Sequence, residues 1–249
     1  MDNNIDIIVT TKGLVSGYGR TTVLHGVDLG VPRAALTTVI GPNGAGKSTL
    51  FKALFGMLNI REGSVTFDGR DVTHLSPMKK LQHGIAYVPQ GRNIFPELTV
   101  EHNLELGGVS LRDLKETRRR MEKVMDQFPI LRERAKAQAS TLSGGEQKLL
   151  EIGRALLLNP TLLLIDEPSI GLSPFLVKEV FSTLLSLRDR GVSILMIEQN
   201  AKQALGISDY GIVLQQGRLA LDGTASEVLN HPEIGHLFLG GMAKVEGAA

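Results

Sequence analysis

The segment Gly41-Pro42-Asn43-Gly44-Ala45-Gly46-Lys47-Ser48-Thr49 constrains this chain more than any other. It satisfies the spacing G-x-x-x-x-G-K-[ST]. It follows the β-branched pair Val39-Ile40 and precedes apolar residues at helical spacing, Leu50, Ala53, Leu54 and Met57. The pattern predicts a buried strand, a phosphate-cradling loop and a helix over Lys47 to Leu58. Glycines let the backbone turn tightly and aim several N–H groups at one anion, and the helix start adds its partial positive charge. Lys47 brings a mobile ammonium to the β- and γ-phosphates, and the Ser48 hydroxyl is placed to ligate the magnesium that accompanies a nucleoside triphosphate.

The rest of the composition narrows what that loop serves. With 249 residues and 42% hydrophobic content, the chain fits one large α/β domain carrying an insertion better than two small ones. Its 27 basic and 26 acidic residues leave a formal charge of +1, so no global field favours nucleic acid or an anionic membrane. The absence of cysteine excludes disulfides, thiolate metal sites and cysteine nucleophiles. Met1-Asp2-Asn3-Asn4-Ile5-Asp6 is polar and acidic rather than basic then apolar, which does not match a signal peptide and predicts a cytoplasmic protein. The most apolar region, Ala155 to Ile165, is broken by Asn159-Pro160, so a membrane role has to come through a partner.

Along the chain, residues 5–36 read as an antiparallel β region leading into the first buried strand. Tyr18, between Gly17 and Gly19, could stack on a flat base or simply pack. Strands are expected over Ser64 to Phe67 and Gly84 to Val88, with Gln90 opening a loop after Pro89. From Gly91 to about Thr141 long charged helical patterns take over, including a helix from Leu111 to Phe128. Its Arg118-Arg119-Arg120 cluster is interleaved with acids and reads as a solvated face. Leu142-Ser143-Gly144-Gly145-Glu146-Gln147 opens a further helix with serine available as its cap, and the two glycines predict close approach by another molecule.

Thr161 to Ile165 is a compact apolar strand, and Asp166-Glu167-Pro168 follows at once. Two carboxylates at the carboxyl end of a strand could cap the next helix, but beside a phosphate loop they suit magnesium binding by Asp166 and activation of water by Glu167. A helix from Pro174 to Arg188, a strand from Val192 to Ile197 with a polar tip Glu198-Gln199-Asn200, a hairpin around Gln215-Gln216-Gly217 and a short helix near Ser226 complete the reading.

Gly41 to Thr49, Gln90, Leu142 to Gln147, Leu162 to Pro168 and Gln199 occur in the order seen in ATP-binding cassette ATPase subunits, which the chain resembles over nearly its whole length. The resemblance implies a mixed-sheet α/β cassette with an N-terminal antiparallel β region and a helical insertion at about 91–141. It implies MgATP as ligand, with Tyr18 on adenine, Gln90 near magnesium and attacking water, and Ser143-Gly144-Gly145 closing over the γ-phosphate held by Lys47 of a facing cassette. It also implies integral-membrane permease subunits docked on the insertion, a solute-binding protein acting indirectly, and peripheral attachment at the cytoplasmic face of the cell membrane.

The sequence departs from the common cassette pattern at two positions, with Ser173 where many cassettes carry an acid and Gln199 where many carry a histidine. Both are expected to face the γ-phosphate or the dimer seam. Glutamine donates a hydrogen bond but cannot carry a proton, which predicts slow basal hydrolysis. Together with Pro168-Ser169-Ile170-Gly171-Leu172-Ser173-Pro174 and Glu198-Gln199-Asn200, these features resemble branched-chain amino acid importer ATPases, specifically the shorter of their two ATPase subunits. Urea and short-amide importer ATPases share much of the pattern. Soluble cassettes that act on nucleic acid or ribosomes are disfavoured by the balanced charge and the lack of cysteine. With little sequence after Leu239, no added regulatory domain of the kind found on some sugar-importer ATPases is expected.

Overall fold

The computed structural model describes residues 5–232. The polar N-terminal tetrapeptide and the glycine-rich tail lie outside the described residues. Strands β1 (Ile7–Tyr18) and β2 (Thr21–Pro32) are long and antiparallel, and β3 (Leu36–Ile40) is buried throughout. Helix α1 (Lys47–Phe55) follows the phosphate loop, then come β4 (Ile60–Phe67), β5 (Arg70–Asp71), α2 (Pro77–Gln82) and β6 (Ile85–Val88). Residues 91–141 hold helices α3 (Val100–Gly107), α4 (Leu114–Gln127) and α5 (Pro129–Glu133). Helix α6 (Gly144–Leu156), β7 (Leu162–Asp166), α7 (Pro174–Asp189) and β8 (Ser193–Ile197) carry the second half of the site. Helix α8 (Ala201–Leu205), the β9 (Tyr210–Gln215) and β10 (Arg218–Thr224) hairpin and α9 (Ala225–Leu229) close the described chain.

Two sheets share the molecule. The antiparallel one runs β2-β1-β4-β5, and the mixed one runs β10-β9-β3-β8-β7-β6, parallel except for the β9–β10 pair. Strands β3, β7 and β8 are buried throughout because both faces of the mixed sheet are covered. One apolar cluster packs α6, α7 and the 91–141 helices against it, and the other packs α1 between it and the antiparallel sheet. Leu163, Leu164 and Ile165 have no exposed surface, and burying each stabilises the fold by about 1.5–3 kcal/mol. That packing fixes the end of β7, and with it Asp166.

Several boundaries differ from the sequence reading for local reasons. Helix α1 stops at Phe55 rather than Leu58, because Gly56 turns left-handed at φ 83° and donates its N–H to Ala53 and Lys52 carbonyls. Helix α4 begins at Leu114 rather than Leu111, because the Asp113 carboxylate caps the amides of Lys115 and Glu116. Within α4, Glu116 pairs with Arg119 and Arg120, as a solvated helix face requires. The residues after Ile197 are not uniformly a polar tip: Glu198 is buried, with 2% of its surface exposed.

Candidate functional site

Helix α1 starts without a cap. Its N-cap is Gly46 at φ 101°, no side chain bonds to its first amides, and its first turn holds no acid. A helix start left open in this way keeps its N–H groups and positive end available to an anion. A side chain at Gly46 would be strained by the left-handed backbone, and its Cβ would lie 3.0 Å from Leu24 Cδ2. Residues Asn43, Gly44, Ala45, Gly46, Lys47, Ser48 and Thr49 line a cavity of about 340 Å³ together with Val23 and Glu167. Gly41 and Pro42 stand behind it, and their carbonyls accept hydrogen bonds from Lys47 Nζ at 2.8 and 3.1 Å. Burial pushes the Lys47 ammonium below its ordinary pKa, while Glu167 and Asp166 oppose that shift.

Strand β7 ends on Asp166, and Glu167, the next residue, lines this cavity. Asp166 is 2% exposed, and burial raises its pKa; the Ser48 hydroxyl lowers it, the Glu167 charge raises it further, and Tyr87 lowers it. Its Oδ2 accepts from Tyr87 at 3.4 Å, whereas Oδ1 is buried with no hydrogen-bond partner among the described residues. Glu167 adopts φ 48°, a left-handed conformation that costs a non-glycine residue about 1–3 kcal/mol. Its Oε2 accepts from Gln90 Nε2 at 2.7 Å and from Gln199 Nε2 at 2.9 Å. The two glutamines therefore meet on one carboxylate oxygen, and Gln199 faces Glu167.

Other expected site residues lie elsewhere. Tyr18 ends β1 with its ring 44% exposed, and Lys52 Nζ sits 5.5 Å from the ring centroid. Ser143 caps α6 in a reciprocal box: its Oγ accepts from Glu146 N–H, and Glu146 Oε2 accepts from Ser143 N–H at 2.7 Å. Ser143, Gly144 and Gly145 take no part in the phosphate-loop cavity; Gly144 instead lines one with Gly91, Lys148 and Ile170. Within this chain both glycines already have close neighbours. A Cβ on Gly145 would lie 2.6 Å from Leu176 of α7, and one on Gly144 would lie 3.0 Å from Leu172. Ser173 is the N-cap of α7, accepting from Leu176 N–H.

Sequence reasoning missed two braces. Gly217, in the turn between β9 and β10, donates its N–H to the Ala45 carbonyl at 2.9 Å and accepts from His25 N–H at 2.8 Å. A Cβ there would stand 1.7 Å from the Val23 carbonyl, so only glycine lets the turn press on the phosphate loop. The second brace holds the loop after Gln90. Asn93 N–H donates to Glu151 Oε1, the Asn93 carbonyl accepts from Arg154, and the buried Lys148–Glu151 pair lies beneath. The local signal for both was weak: neither a turn glycine nor charges on a helix name partners distant in the chain.

Comparison with known proteins agrees with this geometry. Residues 24–170 match the family model described as ABC transporter. The chain is 42% identical to the high-affinity branched-chain amino acid transport ATP-binding protein BraG of Pseudomonas aeruginosa, over 90% of this chain and 96% of that one. It is 40% identical to the probable branched-chain amino acid transport ATP-binding protein LivF of Archaeoglobus fulgidus, over 94% and 99%. The ADP conformation of an ATP-binding cassette of an ABC transporter superposes with a TM-score of 0.85 at 31% identity, covering 94% and 99% of the two chains. With its phosphate loop, its paired carboxylates and these relatives, the chain belongs to the ABC transporter family of ATP-binding cassette ATPases.

Proposed function

We propose that this chain is the ATP-hydrolysing subunit that powers a membrane permease importing branched-chain amino acids. The observation that carries the chemistry is Glu167, held by two amides on the wall of the cavity formed by the phosphate loop. The solute class rests on the names of the two relatives. Gly41 to Thr49 bind the triphosphate, Lys47 offsets charge on the γ-phosphoryl group, and Tyr18 stacks on adenine. Glu167 orients a water in line with the γ-phosphorus and takes its proton as the new P–O bond forms and the bond to the β–γ bridging oxygen breaks. ADP and phosphate leave. Gln90 and Gln199 keep the carboxylate aimed.

Asp166 and Ser48 suit magnesium: a buried carboxylate oxygen without a partner lies beside a hydroxyl, and no protein cage is needed when phosphates supply the other oxygens. The ion, with Gln90 beside it, supplies charge neutralisation at the phosphates. Residues 1–249 act as one nucleotide-binding domain. Its partner cassette, another copy or a related subunit, brings Ser143, Gly144 and Gly145 over the γ-phosphate. The 91–141 helices meet the permease, and a solute-binding protein acts beyond it. No described helix is long and apolar enough to cross a membrane, and the subunit sits peripherally on the cytoplasmic face.

The test is uptake of labelled leucine, isoleucine and valine by cells carrying the parent or the Glu167→Gln chain with its permease, alongside ATPase rates of the purified proteins. Glu167→Gln should reduce ATPase by at least about 100-fold and abolish uptake of all three. Parental hydrolysis by that variant refutes the role of Glu167. Lost hydrolysis with unchanged uptake refutes the solute.

A further inference from the structure

The conformation of Glu167 needs support from outside its own strand. Its backbone is left-handed, and its N–H donates to the carbonyl of Ile197, the last residue of β8, at 2.9 Å. The next residue, Glu198, is buried and both of its carboxylate oxygens are hydrogen-bonded. Oε1 accepts from Ser169 N–H at 2.9 Å, and Oε2 accepts from Ser169 Oγ at 2.8 Å and Gln199 N–H at 3.2 Å. Burial raises the Glu198 pKa, and the Ser169 and Gln199 donors oppose that shift.

Those partners flank Glu167 on both sides. Ser169 lies two residues beyond it on the turn that leaves β7, and Gln199 is the residue whose amide reaches its Oε2. We propose that Glu198 is a positioning residue for the hydrolytic reaction: one buried carboxylate ties the strained turn carrying Glu167 to the residue that aims the Glu167 carboxylate. The phosphate loop lies outside this unit, since Lys47 is held by Gly41 and Pro42 and the loop is braced by Gly217. Losing Glu198 therefore frees Glu167 to move while leaving nucleotide binding in place. The proposal rests on Glu167 being the group that orients water.

The full-length chain is compared as parent, Glu198→Ala, Glu198→Gln, Ser169→Ala and Glu167→Gln, measuring kcat and KM for MgATP and affinity for a fluorescent ATP analogue. Glu198→Ala should lower kcat by about 100-fold, the scale of a 1 Å misplacement, with affinity within about twofold of parent. Glu198→Gln keeps an oxygen for Ser169 N–H and a donor for Ser169 Oγ but sets that donor against Gln199 N–H, so it should recover kcat only in part, to within about tenfold of parent. Ser169→Ala, at a half-buried position, removes one bond and should lower kcat about threefold. If Glu198→Ala does not fold, the Gln and Ser169 variants carry the test, and parental kcat in both overturns the proposal. A parallel fall of kcat and affinity in Glu198→Ala also overturns it, because that is what general loss of structure produces. If Glu167→Gln is inactive while Glu198→Ala turns over normally, only the Glu198 role falls. If Glu167→Gln turns over at the parental rate, the assignment of Glu167 fails and takes the Glu198 proposal with it.

Discussion

Helices α1 and α6 both begin at glycine-rich segments, and their N-termini are built in opposite ways. The start of α1 has a left-handed glycine, no side-chain cap and no acid in its first turn. The start of α6 has a serine cap, a reciprocal glutamate and that glutamate's negative charge in the first turn. Both helices carry the same backbone dipole. The difference is whether the chain satisfies its own orphan amides, and only at α1 are they left for an anion. The Ser143 hydroxyl accepts in the capping box and still has a hydrogen to donate, so in the proposed two-cassette assembly an anion would meet a side-chain donor there more than bare amides.

The largest test of this contrast is Lys47→Ala. It removes the only side chain that bridges the Gly41 and Pro42 carbonyls within the described loop, together with the cation proposed to offset phosphate charge. Hydrolysis should fall at least about 100-fold and nucleotide affinity should drop with it, as read by steady-state rates and analogue binding. An unchanged affinity would mean that the open amides hold the phosphates alone.

A middle-sized effect is expected at the closed helix. Glu146→Ala breaks the capping box and should lower unfolding stability by about 1 kcal/mol in urea titration. Nucleotide affinity of the isolated chain should stay at the parental value, because α6 does not line the phosphate cavity. A clear loss of affinity would break the division of labour between the two helix starts.

A separate effect, on pH dependence rather than on nucleotide binding, concerns the far end of α1, where the buried Lys80 ammonium donates to the Leu54 and Ala53 carbonyls. Burial lowers its pKa to about 8 from the usual 10.5, with Asp71 opposing. Between those values the unfolded chain binds more protons than the folded one, so this group makes stability rise as pH climbs from about 8 to about 10.5. Below about 8 the folded state carries the penalty of the buried charge in full. Denaturant midpoints across that range should rise less steeply in Lys80→Met than in the parent. Equal slopes would show that Lys80 reaches solvent.

The sequence by itself determined the parts whose chemistry is local. Gly41 to Thr49 is legible because spacing alone creates the loop and its lysine, and Asp166-Glu167 because an apolar strand ends where the acids begin. The order of the mixed sheet is not written in any window. Strand β3 lies between β8 and β9, which brings Gly217 onto Ala45, and β7 lies on the other side of β8, which brings the end of β8 onto Glu167. Glu198 looks like one more polar residue after a strand until Ser169 and the sheet around it exclude water. Tertiary packing decided which carboxylates and amides are solvated, which are satisfied and which stay open, because those states depend on neighbours distant in the chain.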